Sequence, residues 1–335
     1  MANKLIYSVK FAVNRLFLRE YRYNRIERHY LRQYYSDTAP SATNKRKVVV
    51  FMADGKRRQG GLVDRLFGIT TMYKYSKEHG IDFRIYWNVP FDLGLFLVPN
   101  RYDWRISGQD ISYNNRSSRA CFLDAMHDSS DKAVRLQKRI TDKFLSRKYM
   151  QIHVYSNMDY EREMFGILFN ELFKPSDFIQ KEVQTVINKF RNNGNSMYIS
   201  ISTRFMELLG DFSEPKRYTV ASVSEQERLI NGCIEQIKII RDRHPEASGI
   251  LVTSDSIRFL DIAQKLERCY VIPGNISHVD VTCSGLETHV KTFVDFFAIA
   301  HADVSYLLVS GKMHHSNFSR MAACIYKHPF IEVTF

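Results

Sequence analysis

Cysteine is scarce and scattered: Cys121, Cys233, Cys269, Cys283 and Cys324 are odd in number and form no CxxC pair. This argues against a disulfide framework and a cysteine-based zinc site, and makes a reducing, cytoplasmic setting the expected one. Long apolar runs are missing too. No stretch approaches the roughly eighteen uncharged apolar residues needed to cross a bilayer. Arg and Lys interrupt the apolar residues at the N-terminus and no small-residue cleavage site follows, so the start does not read as a secretory signal. What remains is 335 residues, 44% apolar and 25% charged, the composition of a soluble globular chain long enough for two domains.

Negative charge is in deficit, with a formal balance of +12, and much of the excess is local. Residues 1–35 carry eight Lys or Arg against Glu20 and Glu27, interleaved with Phe11, Leu16, Phe17, Tyr21, Ile26, Tyr30, Leu31 and Tyr34. Basic and apolar residues at helical spacing fit a helix lying on an anionic membrane surface, at the inner face of a membrane. They fit equally a helix packed on its own domain with its charges solvated. Nucleic acid would attract the same charges, but no later motif resembles a common nucleic-acid module.

Residues 36–45 (SDTAPSATNK) are small and polar and read as a linker. Beyond them, strands are expected at 47–53, 82–87 and 150–155, and helices at 62–79, 131–146, 160–172 and 176–192. Between 90 and 130 the periodicity fades, and this stretch reads as an irregular acceptor-side loop. After the break at 192–195 a cleaner series follows. Strands are expected at 197–203, 249–253, 269–272, 302–309 and 330–334, and helices at 223–243, 256–267, 287–300 and 316–327. Short apolar runs joined by helices imply βαβ units and parallel sheets covered on both faces. The expected fold is α/β, with two facing Rossmann-like domains, 46–195 and 196–335, behind a basic N-terminal extension, 1–45.

Ligands of such sheets bind beyond the carboxyl ends of the strands. Four ends stand out. The first strand is followed by Asp54 and the loop Gly60-Gly61-Leu62-Val63-Asp64-Arg65, where a glycine turn and a helix start suit a phosphate. Arg204 follows 197–203, Ser254 and Asp255 follow 249–253, and Ser316-Asn317-Phe318-Ser319 opens the helix after 302–309. Each has a plain structural reading: an arginine at a strand end is commonly a surface ion pair, and Asp or Ser before a helix is first of all a cap, contributing about 1 kcal/mol. Their joint placement, each after a strand, points to a nucleotide site.

The segment GGLVDRLFGITTMYKYSKEHG resembles the first glycine loop and helix of the fucosyltransferase-like GT-B glycosyltransferases. STRF, with Arg204, is similar to their His-x-Arg motif; VTSDS is similar to their Thr-Asp-Ser strand end, and SNFSRMAA to their terminal Ser-x-Phe-Ser helix start. The order matches across 46–335. The histidine of that motif is Ser202 here, and the acid near the arginine is displaced to Glu207 or Asp211. The resemblance implies a GDP-linked sugar donor, with fucose the sugar, whose diphosphate Arg204 contacts. It implies that Asp255 holds the base or ribose, that Ser316–Ser319 bind the diphosphate, and that Gly60 and Gly61 let the first domain close, with Asp64 and Arg65 toward the cleft. A saccharide hydroxyl is the implied acceptor.

Sugar transfer leaves negative charge on the departing diphosphate, which a metal, or Arg and helix N-termini, can stabilise. No Asp-x-Asp motif occurs, and His278, His289, His301 and His314-His315 have no ligand spacing, so no metal and no resident cofactor are expected. An inverting transfer needs a carboxylate base, for which Asp64, Glu207 and Asp211 are candidates, Asp64 foremost. A transferase of another nucleotide sugar and a binding-only GT-B domain are the competing readings.

Overall fold

The protein is described from a computed structural model, which places residues 23–124, 131–160, 162–191, 196–212, 219–276, 279 and 285–335. Residues 1–22 of the basic segment, the break at 192–195, His278 and Cys283 lie outside the described residues. In chain order the first elements are α1 (23–31), β1 (Val48–Ala53), α2 (Leu62–Glu78), β2 (Asp82–Trp87), β3 (Leu97–Pro99), β4 (Ser118–Leu123) and α3 (Asp131–Leu145). Next come β5 (Gln151–Ser156), α4 (Phe165–Leu172), β6 (Phe173–Pro175), α5 (Asp177–Phe190), β7 (Ile199–Thr203) and α6 (Val223–Arg243). The last are β8 (Ile250–Thr253), α7 (Ile257–Ala263), β9 (Cys269–Tyr270), α8 (Leu286–Ala300), β10 (Val304–Val309), α9 (Asn317–Tyr326) and β11 (Phe330–Thr334).

The chain forms two compact units. One comprises 1–60, 64–89 and 101–164; the other comprises 61–63, 90–100 and 165–335. The first is built on a parallel sheet of order β2-β1-β5-β4. Its inner strands β1 and β5 are buried at every position, as a parallel strand covered on both faces requires, whereas the edge strand β2 alternates half-buried and buried. Helix α2 comes so close to β5 that a Cβ on Gly68 would lie 2.0 Å from the carbonyl oxygen of Ser156. Val48, Val50, Met52, Ala120 and Phe122 share a core cluster with Leu31 and Tyr35. The described end of the N-terminal segment is therefore part of this core, and Leu31 is fully buried.

The stretch 90–130 is more structured than expected. Residues 118–123 form β4, and the interior of the stretch is pinned: Trp104 is buried and its carbonyl accepts the Ile85 N–H at 2.7 Å. β4 escapes a periodicity reading because its apolar run, 120–123, is only four residues long and follows the charged Arg119.

The second unit carries a parallel sheet of order β11-β10-β7-β8-β9 and a small antiparallel ribbon, β3-β6. Ser222 caps α6, its hydroxyl accepting the Glu225 N–H at 3.3 Å, and Arg241 and Arg243 close the same helix where its carbonyls are exposed. Leu229, Ile230, Cys233, Ile237 and Ile240 of α6 cluster with Ile199 and Ile201 of β7 and with Phe259 and Leu260 of α7. α8 is buried almost all round, packing on α5 and α9, as its apolar sequence demands. Among the described residues no helix is long and apolar enough to cross a membrane. Cys121, Cys233, Cys269 and Cys324 form no disulfide among the described residues.

Candidate functional site

Strand order decides where a ligand can sit. In the second unit β7 is followed in the sheet by β8 on one side, while β10 returns on the other. The chain therefore departs in opposite directions after β7 and β10, leaving a crevice at their carboxyl ends. Arg204 ends β7, and the loop 310–316 ends β10. The two predicted motifs meet here: the His314 N–H donates to the Arg204 carbonyl at 2.9 Å.

The Arg204 turn is held from beneath by β8. Asp255 is 3% exposed, and its Oδ1 and Oδ2 accept the N–H groups of Phe205 (2.8 Å) and Met206 (2.7 Å). Just beyond these two amides the chain turns through a left-handed Met206, φ 55°. The Arg204 Nε lies 3.3 Å from Asp255 Oδ2, its side chain keeps 23% exposure, and its guanidinium sits 4.8 Å over the ring of Phe212. Burial pushes the Asp255 carboxyl above its ordinary value, opposed by the Arg204 charge and the two amides. Asp255 is thus occupied as the anchor of the arginine turn. The base or ribose contact that the resemblance implies would have to form beside these bonds, since both carboxylate oxygens already accept amides.

Around this pair the strand ends are laced by hydroxyls. Thr203 donates to Ser254 Oγ at 2.8 Å, and that oxygen also accepts the Ser256 N–H at 3.1 Å. Ser202, standing where the related motif has histidine, is 6% exposed and bonded to the Thr253 hydroxyl at 2.8 Å. Ser256 caps α7. Asp211 joins the cap, accepting the Ser256 O–H (2.8 Å) and the Arg258 N–H (2.9 Å), so its carboxylate is engaged in structure, not poised as a base. Glu207 is half-buried in the turn that follows Arg204.

On the β10 side, Ser316 caps α9 with its hydroxyl on the Phe318 N–H at 3.2 Å, and Asn317 opens the helix. Phe318 packs edge-on against Phe296, ring centres 5.2 Å apart. The Ser319 hydroxyl is fully buried and has no hydrogen-bond partner among the described residues. The amides at the N-terminus of α9 favour a nearby anionic group.

The first unit holds the remaining predicted residues. Gly60 has φ +83°, and a Cβ there would lie 2.3 Å from the Asp64 carboxylate, so glycine is required by conformation and by space. Asp64 is exposed in the first turn of α2, which Gly61 precedes. Arg65 does not extend outward as expected. It is 4% exposed, donates to the carbonyls of Gly60 (3.3 Å) and Val89 (3.0 Å), and stacks 4.8 Å from Trp87. It braces the glycine loop instead. Asp54, at the end of β1, is likewise consumed: Tyr113 and Tyr155 donate to its Oδ2 at 3.0 and 3.1 Å, and Lys56 Nζ lies 2.5 Å away.

Phe212, Met206 and His314 belong to the site but carried no signal in the sequence. Among the described residues no group of three His, Cys, Asp or Glu is placed to hold a metal ion.

No protein-family model matches the sequence, and no curated protein matches it. Solved structures do resemble it. The α-1,6-fucosyltransferase NodZ of Bradyrhizobium, soaked with GDP-fucose, matches with a TM-score of 0.55 at 14% identity, over 84% of this chain and 93% of that one. The NodZ structure co-crystallised with GDP matches with 0.54 at 15% identity, over 84% and 92%. A variant of Arabidopsis thaliana FUT1 in complex with GDP matches with 0.51 at 12% identity, over 92% of this chain and 74% of that one. The chain has the α/β fold, of GT-B type, of these fucosyltransferases.

Proposed function

We propose that this protein is a metal-independent, inverting glycosyltransferase that moves fucose from GDP-fucose to a saccharide hydroxyl, in polysaccharide or glycan biosynthesis. One observation carries the reading: the Arg204 turn and the β10–α9 loop are joined by a hydrogen bond at the switch point of the second sheet. Solved neighbours of the same fold contain GDP or GDP-fucose.

In this reading Arg204 and the N-terminus of α9 lie against the donor diphosphate. As the sugar–oxygen bond breaks, negative charge grows on the leaving group, and the preorganised guanidinium and amides stabilise it. Asp255 keeps Arg204 aimed by holding its backbone. Ser254, Ser316 and Asn317 bind the donor through hydroxyl, amide and backbone groups. Asp64 or Glu207 removes the acceptor proton, while Asp211 caps α7. Residues 1–35 bring the enzyme to the cytoplasmic face of an anionic membrane.

Thermal unfolding with GDP, UDP and CDP tests the donor. GDP at a hundred times its Kd should stabilise the protein by about 2.7 kcal/mol, with UDP and CDP well behind. Equal shifts, or none, would reject a GDP-linked donor. Release of GDP from GDP-fucose should then depend on a saccharide acceptor. Selective GDP binding without transfer to any acceptor tried would favour the binding-only alternative, to which the exchange of histidine for Ser202 lends some weight.

A further inference from the structure

The loop that leaves β1 carries two cations, and both lie on aromatic rings. The Arg57 guanidinium sits 3.4 Å from the centre of the Tyr30 ring. Lys56 Nζ lies 4.3 Å from the centre of the Tyr113 ring and 5.4 Å from that of Tyr34. Tyr30, near the end of α1, and Tyr34, in the single 3-10 turn that follows, meet edge-on with ring centres 6.1 Å apart. All of these residues belong to the first unit.

Each cation has its own carboxylate: Arg57 pairs with Glu27 of α1, and Lys56 with Asp54. The chain carries a formal charge of +12, yet these two pairs cancel. A phosphate would meet cations whose charge is already balanced. The rings nevertheless stay open to solvent, Tyr30 at 42% and Tyr34 at 37% exposure. Their backbone is fixed, since the next residue after each, Leu31 and Tyr35, is buried in the core. The Lys56 ammonium spends two of its three hydrogens on Asp54 Oδ2 and the Tyr113 hydroxyl, which leaves one for a further acceptor.

A clamp on the β1 loop accounts for the cations stacked on rings, but not for two adjacent rings held in place and left open. Ordered tyrosines offer broad contact at small entropic cost. With hydrogen-bonding groups of both signs beside them, they suit a molecule that has a flat C–H face and a rim of uncharged hydroxyls. Ligands of parallel sheets gather beyond the carboxyl ends of the strands, and the loop bearing Lys56 and Arg57 runs on into Gly60. We propose that Tyr30, Tyr34 and Lys56 form an acceptor subsite for an uncharged sugar residue. The rings lie against its C–H face, and Lys56 and Glu27 meet its hydroxyls. This rests on the transferase reading, which requires a saccharide acceptor, and narrows that acceptor to one neutral at this position.

The test is saturation-transfer NMR on the full chain with neutral tetrasaccharides (maltotetraose, cellotetraose and chitotetraose) and with anionic tetragalacturonate. Stacking tolerates changes of sugar, so at least one neutral tetrasaccharide should bind, and tetragalacturonate should bind more weakly than it. Tyr30→Ala with Tyr34→Ala should weaken the neutral ligand by about tenfold or more, the loss expected on truncating an aromatic anchor. Tyr30→Phe with Tyr34→Phe keeps the rings and should bind nearly as well as the wild type. Unchanged binding by the alanine pair overturns the proposal, as does a preference for tetragalacturonate or the failure of every neutral tetrasaccharide to bind. A lowered melting temperature in the alanine pair with saccharide binding intact would mark a purely structural clamp and overturn it too. The GDP thermal shift on the same proteins separates the two readings. Saccharide binding lost with the GDP shift at its wild-type value supports the subsite. A wild type without any GDP shift rejects the GDP-linked donor, while the NMR result still decides the subsite.

Discussion

Arg204 reaches the end of β7 on a backbone that Asp255 holds in place. The carboxylate engages the guanidinium and two successive amides. Arg204→Ala should therefore lower turnover by about a hundredfold to a thousandfold, the usual cost of losing a contact to developing charge, while the protein stays folded. Asp255→Ala should lower turnover through the same turn and also destabilise the fold by about 3 kcal/mol, because two buried amides lose their acceptor. Turnover of the double variant should be no worse than that of the poorer single one. Additive losses would mean that the two residues act separately. Steady-state kinetics with urea unfolding on the three variants decides it.

At the scale of elements, the N-terminal helix and β5 carry consequences that their own sequences hide. Leu31 sits fully buried against the β1 and β4 side chains, so Leu31→Ala should cost about 2–5 kcal/mol in urea unfolding. For the same reason, deleting residues 1–35 is a poor probe of membrane contact: it opens the core of the first unit. His153 of β5 is wholly buried. Tyr35 donates to its Nδ1 at 2.7 Å, and its Nε2–H reaches Gln151 Oε1 at 3.0 Å, an oxygen that already accepts the Ser112 N–H. Burial lowers its pKa from 6.5 to about 3. Between those values the unfolded chain takes up the proton and the native state does not. The stability tied to neutral His153 is fully present above pH 6.5 and is lost as pH falls toward 3. Unfolding free energy should fall with a slope approaching about 1.4 kcal/mol per pH unit in this window. His153→Gln should flatten that component of the slope, and an unchanged slope would place its origin elsewhere.

Across the whole molecule, most strands and helices stood in the sequence at nearly their observed bounds. Helix α6 and strand β2 did so because capping, period and length agree over a long or evenly alternating segment. β4 did not, since its apolar part is only the four residues 120–123, preceded by the charged Arg119, too short a run to show a period although nearly all of it is buried. The site was half legible. The strand-end positions of Arg204, Ser254 and Ser316 follow from local pattern, but the roles of Asp255, Asp211, Arg65 and Asp54 do not. A charged residue after a strand looks the same in sequence whether it meets a ligand or a backbone amide. The order of apolar periods and caps by itself determined an α/β chain with polar groups at its strand ends, because secondary structure is a matter of near neighbours. Only the tertiary structure decided which of those groups are already satisfied, and that the β7 and β10 loops adjoin. Sheet order and hydrogen-bond partners are set by residues fifty to a hundred positions apart, where no local spacing can record them.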